Sequence, residues 1–213
     1  MAVLVEHDKR KHEILEKALA LFIEEGYEDV TFQKIADRCN ITRTTLYIYF
    51  KNKREIFLWS IKQLTSGIEC NLAAVISDHS LSAEVCLKNM LNIIVDECEK
   101  NQQLFKVLLV YFIQLQKSGE DPSKRVRRRV IRMLHMLNTV IIRGIRNGEF
   151  KQQSVKDINE LLYSLIESAI FRLAILGKEN LHETRDILNF AVDSICKKSS
   201  APAENQLHRN SVH

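Results

Sequence analysis

Residues 31–53 read Thr31-Phe32-Gln33-Lys34-Ile35-Ala36-Asp37-Arg38-Cys39-Asn40-Ile41-Thr42-Arg43-Thr44-Thr45-Leu46-Tyr47-Ile48-Tyr49-Phe50-Lys51-Asn52-Lys53. Thr31 predicts an N-cap for a short helix, Phe32–Cys39, that carries Ile35 and Ala36 inward. Asn40 ends that helix, because asparagine tolerates left-handed backbone better than most residues. Thr42 caps a second short helix, Arg43–Phe50. Asn52-Lys53-Arg54-Glu55 then reads as a capping box opening a long helix toward Ser77. Two short helices on a three- or four-residue turn, the second rich in Thr, Arg and Tyr, form a helix-turn-helix pattern. Ile35, Ala36, Ile41, Leu46, Tyr49 and Phe50 fit its inward face, which leaves Arg43, Thr44, Tyr47 and Ile48 outward.

Those outward positions carry chemistry suited to double-stranded DNA. Arg43 can donate two hydrogen bonds to guanine O6 and N7, worth roughly 1–3 kcal/mol of discrimination. Thr42, Thr45 and Tyr47 offer hydroxyls to phosphate, and Ile48 can meet a thymine methyl. Lys53 opens the following helix, where its charge and free backbone N–H groups can hold another phosphate. Residues 31–62 have a local balance of +5, whereas residues 1–30 hold eight acidic groups against four basic ones. Such an asymmetry orients a protein on DNA. The competing reading is a pair of packed helices with a solvated basic face.

Outward from this stretch the chain reads as helices throughout. Only two prolines and six glycines occur in 213 residues, too few turn residues for a many-stranded sandwich or barrel. A first helix is expected from Asp8 to Glu25, with Ile14, Leu15, Ala18, Leu19, Phe22 and Ile23 on one face and Gly26 stopping it. Ser80–Glu99 and Gln102–Lys117 follow. Asp121-Pro122 signals the start of a helix reaching Arg146 before Asn147-Gly148. Another spans Val155–Leu176 and stops at Gly177, and Asn180-Leu181-His182-Glu183 caps a last one to about Cys196. The expected class is all-α with about nine helices: a DNA-binding domain at 1–58, a larger helical domain at 59–197 and a disordered tail at 198–213.

Residues 31–36 followed by 41–53 resemble the DNA-binding domain of the TetR family of bacterial transcriptional regulators. That family shows T-x-x-x-I-A and then V-S-x-x-T-L-Y-x-Y-F-x-x-K. The match spans about residues 8–58, with two departures. Cys39-Asn40 stands where Ala-Gly is common, and Thr44 where Gly is common. Asn40 can do the glycine's conformational work, and Thr44 adds a hydroxyl and a methyl beside the bases. The candidate DNA contacts are Thr31, Thr42, Arg43, Thr44, Thr45, Tyr47, Ile48 and Lys53. The resemblance implies a homodimer on a near-palindromic operator and a ligand pocket among the helices between residues 80 and 175. It further implies a repressor released when a small-molecule effector binds.

In the larger portion the apolar stripe of Val155–Leu176 is broader than one core contact demands. Leu161, Leu165, Ile166, Ala169, Ile170 and Leu173, with Leu188, Ala191 and Ile195 of the last helix, are candidates for a four-helix dimer interface. The alternative is a deeply buried helix of a monomer. Tyr111, Phe112, His135, Asn138, Tyr163 and Phe171 are candidate pocket residues, although each alone is more often ordinary core. His135 reads as a hydrogen-bonded core histidine. The six basic groups within 124–132 read as a solvated helix face, with an anionic effector or an extra phosphate contact as the alternative.

Several classes are disfavoured. No G-x-S-x-G, P-loop or G-x-G-x-x-G occurs, and His12-Glu13 and His182-Glu183 lack the second histidine of a zinc-hydrolase helix. No enzyme, cofactor or metal is therefore expected. Five scattered cysteines without C-x-x-C suggest neither a disulfide framework nor zinc. The longest apolar run, Val107–Ile113, is far short of a bilayer span, and the N-terminus has no basic n-region of a signal peptide. A cytoplasmic location follows as the expectation. A helical dimer acting on a protein partner, without sequence-specific DNA binding, is the alternative function.

Overall fold

The computed structural model describes residues 2–121, 123–177 and 181–197, with side chains omitted for 2–5 and 123–130. Among the described residues nine helices follow one another: α1 Ala2–Glu25, α2 Phe32–Arg38, α3 Arg43–Tyr49, α4 Lys53–Ser77, α5 Ala83–Lys100, α6 Gln102–Lys117, α7 Ser123–Arg146, α8 Val155–Ala174 and α9 His182–Ile195. The fold is all-α. The expected tail at 198–213, Pro122 and the expected cap Asn180 lie outside the described residues.

Local signals account for most boundaries. The side chains of Thr31, Thr42, Asn52, Ser82 and Ser154 each accept a hydrogen bond from the backbone N–H three residues on. The Asn52 box is a variant: Glu55 N–H donates to Asn52, but the Glu55 carboxylate accepts from Lys51 N–H at 2.6 Å, one residue outside the cap. Asn40 takes φ +53°, the left-handed turn position expected of it. Three starts differ from expectation. Helix α1 begins at Ala2 instead of Asp8. Helix α5 begins after Ser82, because Ser80 is drawn into a turn by the Asp78 carboxylate. Helix α9 is flanked by Leu181, whose N–H donates to Glu99 at 2.7 Å, so a glutamate 82 residues away serves the helix start.

Two apolar cores result, and they do not divide at residue 58. The first gathers Ile14, Leu15, Ala18 and Phe22 of α1, Ile35, Ala36, Leu46 and Phe50 of the short helices, and Ile56, Phe57 and Ile61 of α4. Leu104, Val107, Tyr111 and Leu115 of α6 complete it. Phe22, Tyr27, Phe57 and Tyr111 stack edge-on and tilted with ring centroids 4.7–5.0 Å apart at the Phe22–Phe57, Tyr27–Phe57, Tyr27–Tyr111 and Phe57–Tyr111 pairs. Helix α6 thus closes the N-terminal core, although its place in the chain assigns it to the larger portion.

The second core surrounds α5, which packs against α4, α7, α8 and α9. At its far end the chain after α7 turns back: Lys151 N–H donates to Ile195 at 2.8 Å and Lys197 N–H to Glu149 at 2.9 Å. Glu149 also accepts from Ala83 N–H at 2.6 Å and so caps α5. Gly144 is required there. A Cβ on it would lie 2.3 Å from the ring of the fully buried Phe150 and 2.9 Å from Ala83 Cβ.

Candidate nucleic-acid interface and apolar cavity

Helix α3 buries Leu46 and leaves its opposite face in solvent. Arg43 and Thr44 are exposed, Tyr47 is 50 % exposed and Ile48 69 %. Tyr47 is held from beneath by the Phe32 ring, 4.5 Å between centroids, and Arg43 reaches 3.1 Å from the Tyr47 hydroxyl. Thr42 and Thr45 share a hydrogen bond of 2.8 Å between hydroxyls. Thr31, Thr42, Arg43, Thr44, Thr45, Tyr47 and Ile48 are therefore gathered around the two short helices.

Lys53 is placed otherwise. Its ammonium donates to the Tyr27 carbonyl at 2.7 Å and the Glu28 carbonyl at 3.1 Å, over the Tyr27 ring at 4.5 Å. Partial burial lowers its pKa. Its side chain closes the loop after α1, so the ammonium is occupied by carbonyls of this chain.

The basic patch is also narrower than its net charge suggests. Lys34 pairs with Glu25 at 2.6 Å, and Arg38 holds Glu24 in a two-point contact of 3.1 and 2.5 Å, which lowers the Glu24 carboxyl pKa. Arg54 is bound by both oxygens of Glu120 across the junction with α6. Lys34 and Arg38 of the basic stretch are thus matched by the acidic one, and Arg54 by Glu120 beyond it. Arg43 and Lys51 stay exposed, without a carboxylate partner among the described residues.

A cavity of about 520 Å³ lies among α4, α5, α6, α7 and α8. That volume suits a small organic molecule, and the walls are overwhelmingly apolar. Helix α4 supplies a whole wall, Leu58 to Leu72, so the cavity extends beyond the expected segment of 80–175. Tyr111, Phe112, Tyr163 and Phe171 line it; His135 and Asn138 do not. His135 is exposed on α7 and is not the hydrogen-bonded core residue expected. Asn138 accepts instead from the buried Asn159 Nδ2, which also donates to Leu134 at 3.0 Å, and together they tie α7 to α8. Burial raises the Cys98 thiol on the cavity wall to about 12, so it is protonated and inert at neutral pH.

The sequence reading missed Thr65, Asn101 and Phe105 in the lining, and also its charged residues Glu69, Glu97 and Glu167, one each from α4, α5 and α8. For the glutamates the signal was present. Each interrupts an apolar stripe at helical spacing, as in Ile94-Glu97-Cys98 and Tyr163-Ile166-Glu167-Ile170.

The proposed interface residues of α8 and α9 separate. Ile166, Ala169, Leu173, Leu188, Ala191 and Ile195 are buried in the chain's own core, where a second subunit cannot reach them. Ile166 and Ile170 line the cavity. Leu161 is 48 % exposed and Leu165 partly so. Ile187 and Phe190 of α9 are exposed, the latter 73 %, as is Phe171 of α8 at the cavity rim, with Ile175 and Leu176 just after that helix. The buried set and the exposed set are neighbouring stripes on the same helices, too close in the periodicity to be told apart without the packing.

Among the described residues no cluster of three or more His, Cys, Asp or Glu could hold a metal, and no helix is long and apolar enough to cross a membrane. Of the basic run at 124–132, Lys124 to Arg129 lie where side chains are not described; Arg132 pairs with Glu69 at 3.0 Å.

Comparison with known proteins agrees with this geometry. Residues 14–58 match the family profile of bacterial regulatory proteins, tetR family. The fatty acid metabolism regulator protein of Bacillus subtilis (strain 168) is 20 % identical over 163 residues, covering 74 % of this chain and 80 % of that protein. The biofilm operon icaADBC HTH-type negative transcriptional regulator IcaR of Staphylococcus aureus is 38 % identical over 52 residues, but only 24 % of this chain and 28 % of that one are covered. A TetR transcription regulator from Haloarcula marismortui superimposes with TM-score 0.78 at 22 % identity, over 89 % of this chain and all of that one. The transcriptional regulator FadR from Bacillus subtilis, solved in complex with stearoyl-CoA, gives TM-score 0.66 at 20 % identity, over 85 % of this chain and 95 % of that one. The motif, the capped helix-turn-helix with its exposed second helix and the shared all-α fold agree: residues 14–58 form a DNA-binding domain of the tetR family, and the chain as a whole shares the fold of the solved regulators.

Proposed function

We propose that the protein is a dimeric, effector-responsive repressor, with a DNA-binding head at 1–58 and an effector-binding and dimerisation portion at 59–197. The observation that carries this reading is the α3 face, where Arg43, Thr44, Tyr47 and Ile48 stand exposed on a capped and well-packed helix. Arg43 and Ile48 read base edges, a guanine and a thymine methyl respectively. Thr31, Thr42, Thr45 and Tyr47 hold phosphates, and Thr44 approaches the bases as the extra hydroxyl and methyl noted above. Lys53 acts through the α4 N-terminus and not its ammonium, which is occupied by the loop carbonyls.

Two such heads about one helical turn apart, roughly 34–36 Å, would read a near-palindrome. The exposed α8 and α9 face with Phe171, Ile187 and Phe190 supports dimerisation through those helices. Effector response is supported by the cavity, since α4 and α6 line it and also complete the N-terminal core. A ligand filling the cavity shifts the heads only by its differential affinity for the two arrangements. Repression accords with the negative regulator among the relatives, and the B. subtilis relatives suggest an apolar, chain-like effector for a cavity with such walls.

Selection of genomic fragments by the purified protein tests this, with Arg43→Ala/Tyr47→Ala as control. Enrichment of a near-palindrome that the control loses is the expected outcome. A folded dimer that enriches nothing at low salt would favour a protein partner instead.

A further inference from the structure

The effector's charge can be read from the cavity. The charged side chains lining it among the described residues are all carboxylates: Glu69, Glu97 and Glu167 from three helices. Glu69 is matched by Arg132 at 3.0 Å. Glu97 is held by Asn101 Nδ2 at 3.1 Å, with Lys100 at 3.8 Å reaching out to solvent. Glu167 pairs with no Lys or Arg among the described residues, and it lies beside Tyr163, whose hydroxyl it and burial keep protonated. Phe105, Tyr111, Phe112, Tyr163 and Phe171 add ring faces and edges to the same walls.

From these groups we infer that the cavity takes a hydrophobic cation, an apolar body bearing one ammonium or similar positive charge. The inference rests on the cavity being the effector site. Carboxylates and aromatic rings both favour a cation. A fatty carboxylate or an acyl-CoA would instead bring its negative charge toward Glu97 and Glu167, which like-charge repulsion disfavours. The apolar volume is shared by all such ligands, so the charge decides between them.

The test is calorimetric titration of the full chain with probes of one tail length: dodecyltrimethylammonium, dodecanol, dodecanoate and lauroyl-CoA, all below their critical micelle concentrations. The cation should bind tightest and dodecanol next. Glu167→Gln, at an exposed position, should weaken the cation by about tenfold while leaving dodecanol unchanged. Glu97→Gln should act in the same direction, with circular dichroism confirming its fold. Tightest binding by dodecanoate or lauroyl-CoA, or equal binding by all four, overturns the cation assignment and leaves the cavity an effector site. Binding by none of them overturns the cavity reading as well.

Discussion

The two cores of this protein use aromatic and apolar side chains to opposite ends. In the N-terminal core Phe22, Tyr27, Phe57 and Tyr111 close on one another, and what remains for chemistry is pushed to the surface of α3. In the C-terminal core the helices around α5 pack tightly at one end, near Gly144 and Phe150, but stand apart at the other and leave about 520 Å³ among them. A filled core fixes the geometry of a reading head, as base recognition requires. An unfilled one lets a ligand contribute contacts that the chain itself lacks. Helices α4 and α6 belong to both, so the two cannot rearrange independently.

The largest effect expected from this contrast is on stability. Phe57→Ala removes the ring between Phe22, Tyr27 and Tyr111 and should cost about 3–5 kcal/mol. Because Tyr111 belongs to α6, thermal unfolding should move as one transition; a head that melts alone while the rest persists would break the picture of joined cores. Phe190→Asp strikes the exposed α9 face and should convert the dimer to a monomer in sedimentation, with far-UV circular dichroism unchanged. A persisting dimer would move the interface elsewhere on the molecule. Arg43→Ala should weaken a selected operator by about 1–3 kcal/mol while leaving stability intact. Equal loss on random DNA would sink its base-reading role. Smallest is Thr42→Ala, which removes the α3 cap and should cost about 1 kcal/mol of stability. Thr31→Ala at the α2 cap is its comparison; if both mutants keep operator affinity, the threonine hydroxyls serve the helices and not phosphates.

Much of the N-terminal head was legible because its determinants are local. The caps at Thr31, Thr42 and Asn52, the left-handed turn at Asn40 and the alternation that buries Leu46 but exposes Ile48 depend on residues a few positions apart. Lys53 was not legible in the same way. Its ammonium turns to carbonyls 25 and 26 residues earlier, a choice set by how the loop after α1 folds over α4. The charge asymmetry is likewise blind to pairing, since the exposed Lys34 and Arg38 are matched by Glu25 and Glu24.

In the larger portion the helices were legible and their faces were not. Caps and periodicity determined that 155–174 and 182–195 are amphipathic helices, because hydrogen bonding and side-chain direction within a helix need no distant partner. A stripe wider than one contact, however, fits several neighbours equally well. Only tertiary packing decided that Leu173, Leu188 and Ile195 turn inward while Phe171 and Phe190 face out. It also decided that α6 closes the N-terminal core, that α4 walls the cavity, and that Glu69, Glu97 and Glu167 meet there from three helices. Burial and cavity shape depend on which helices come together, and that information lies between segments far apart in the chain.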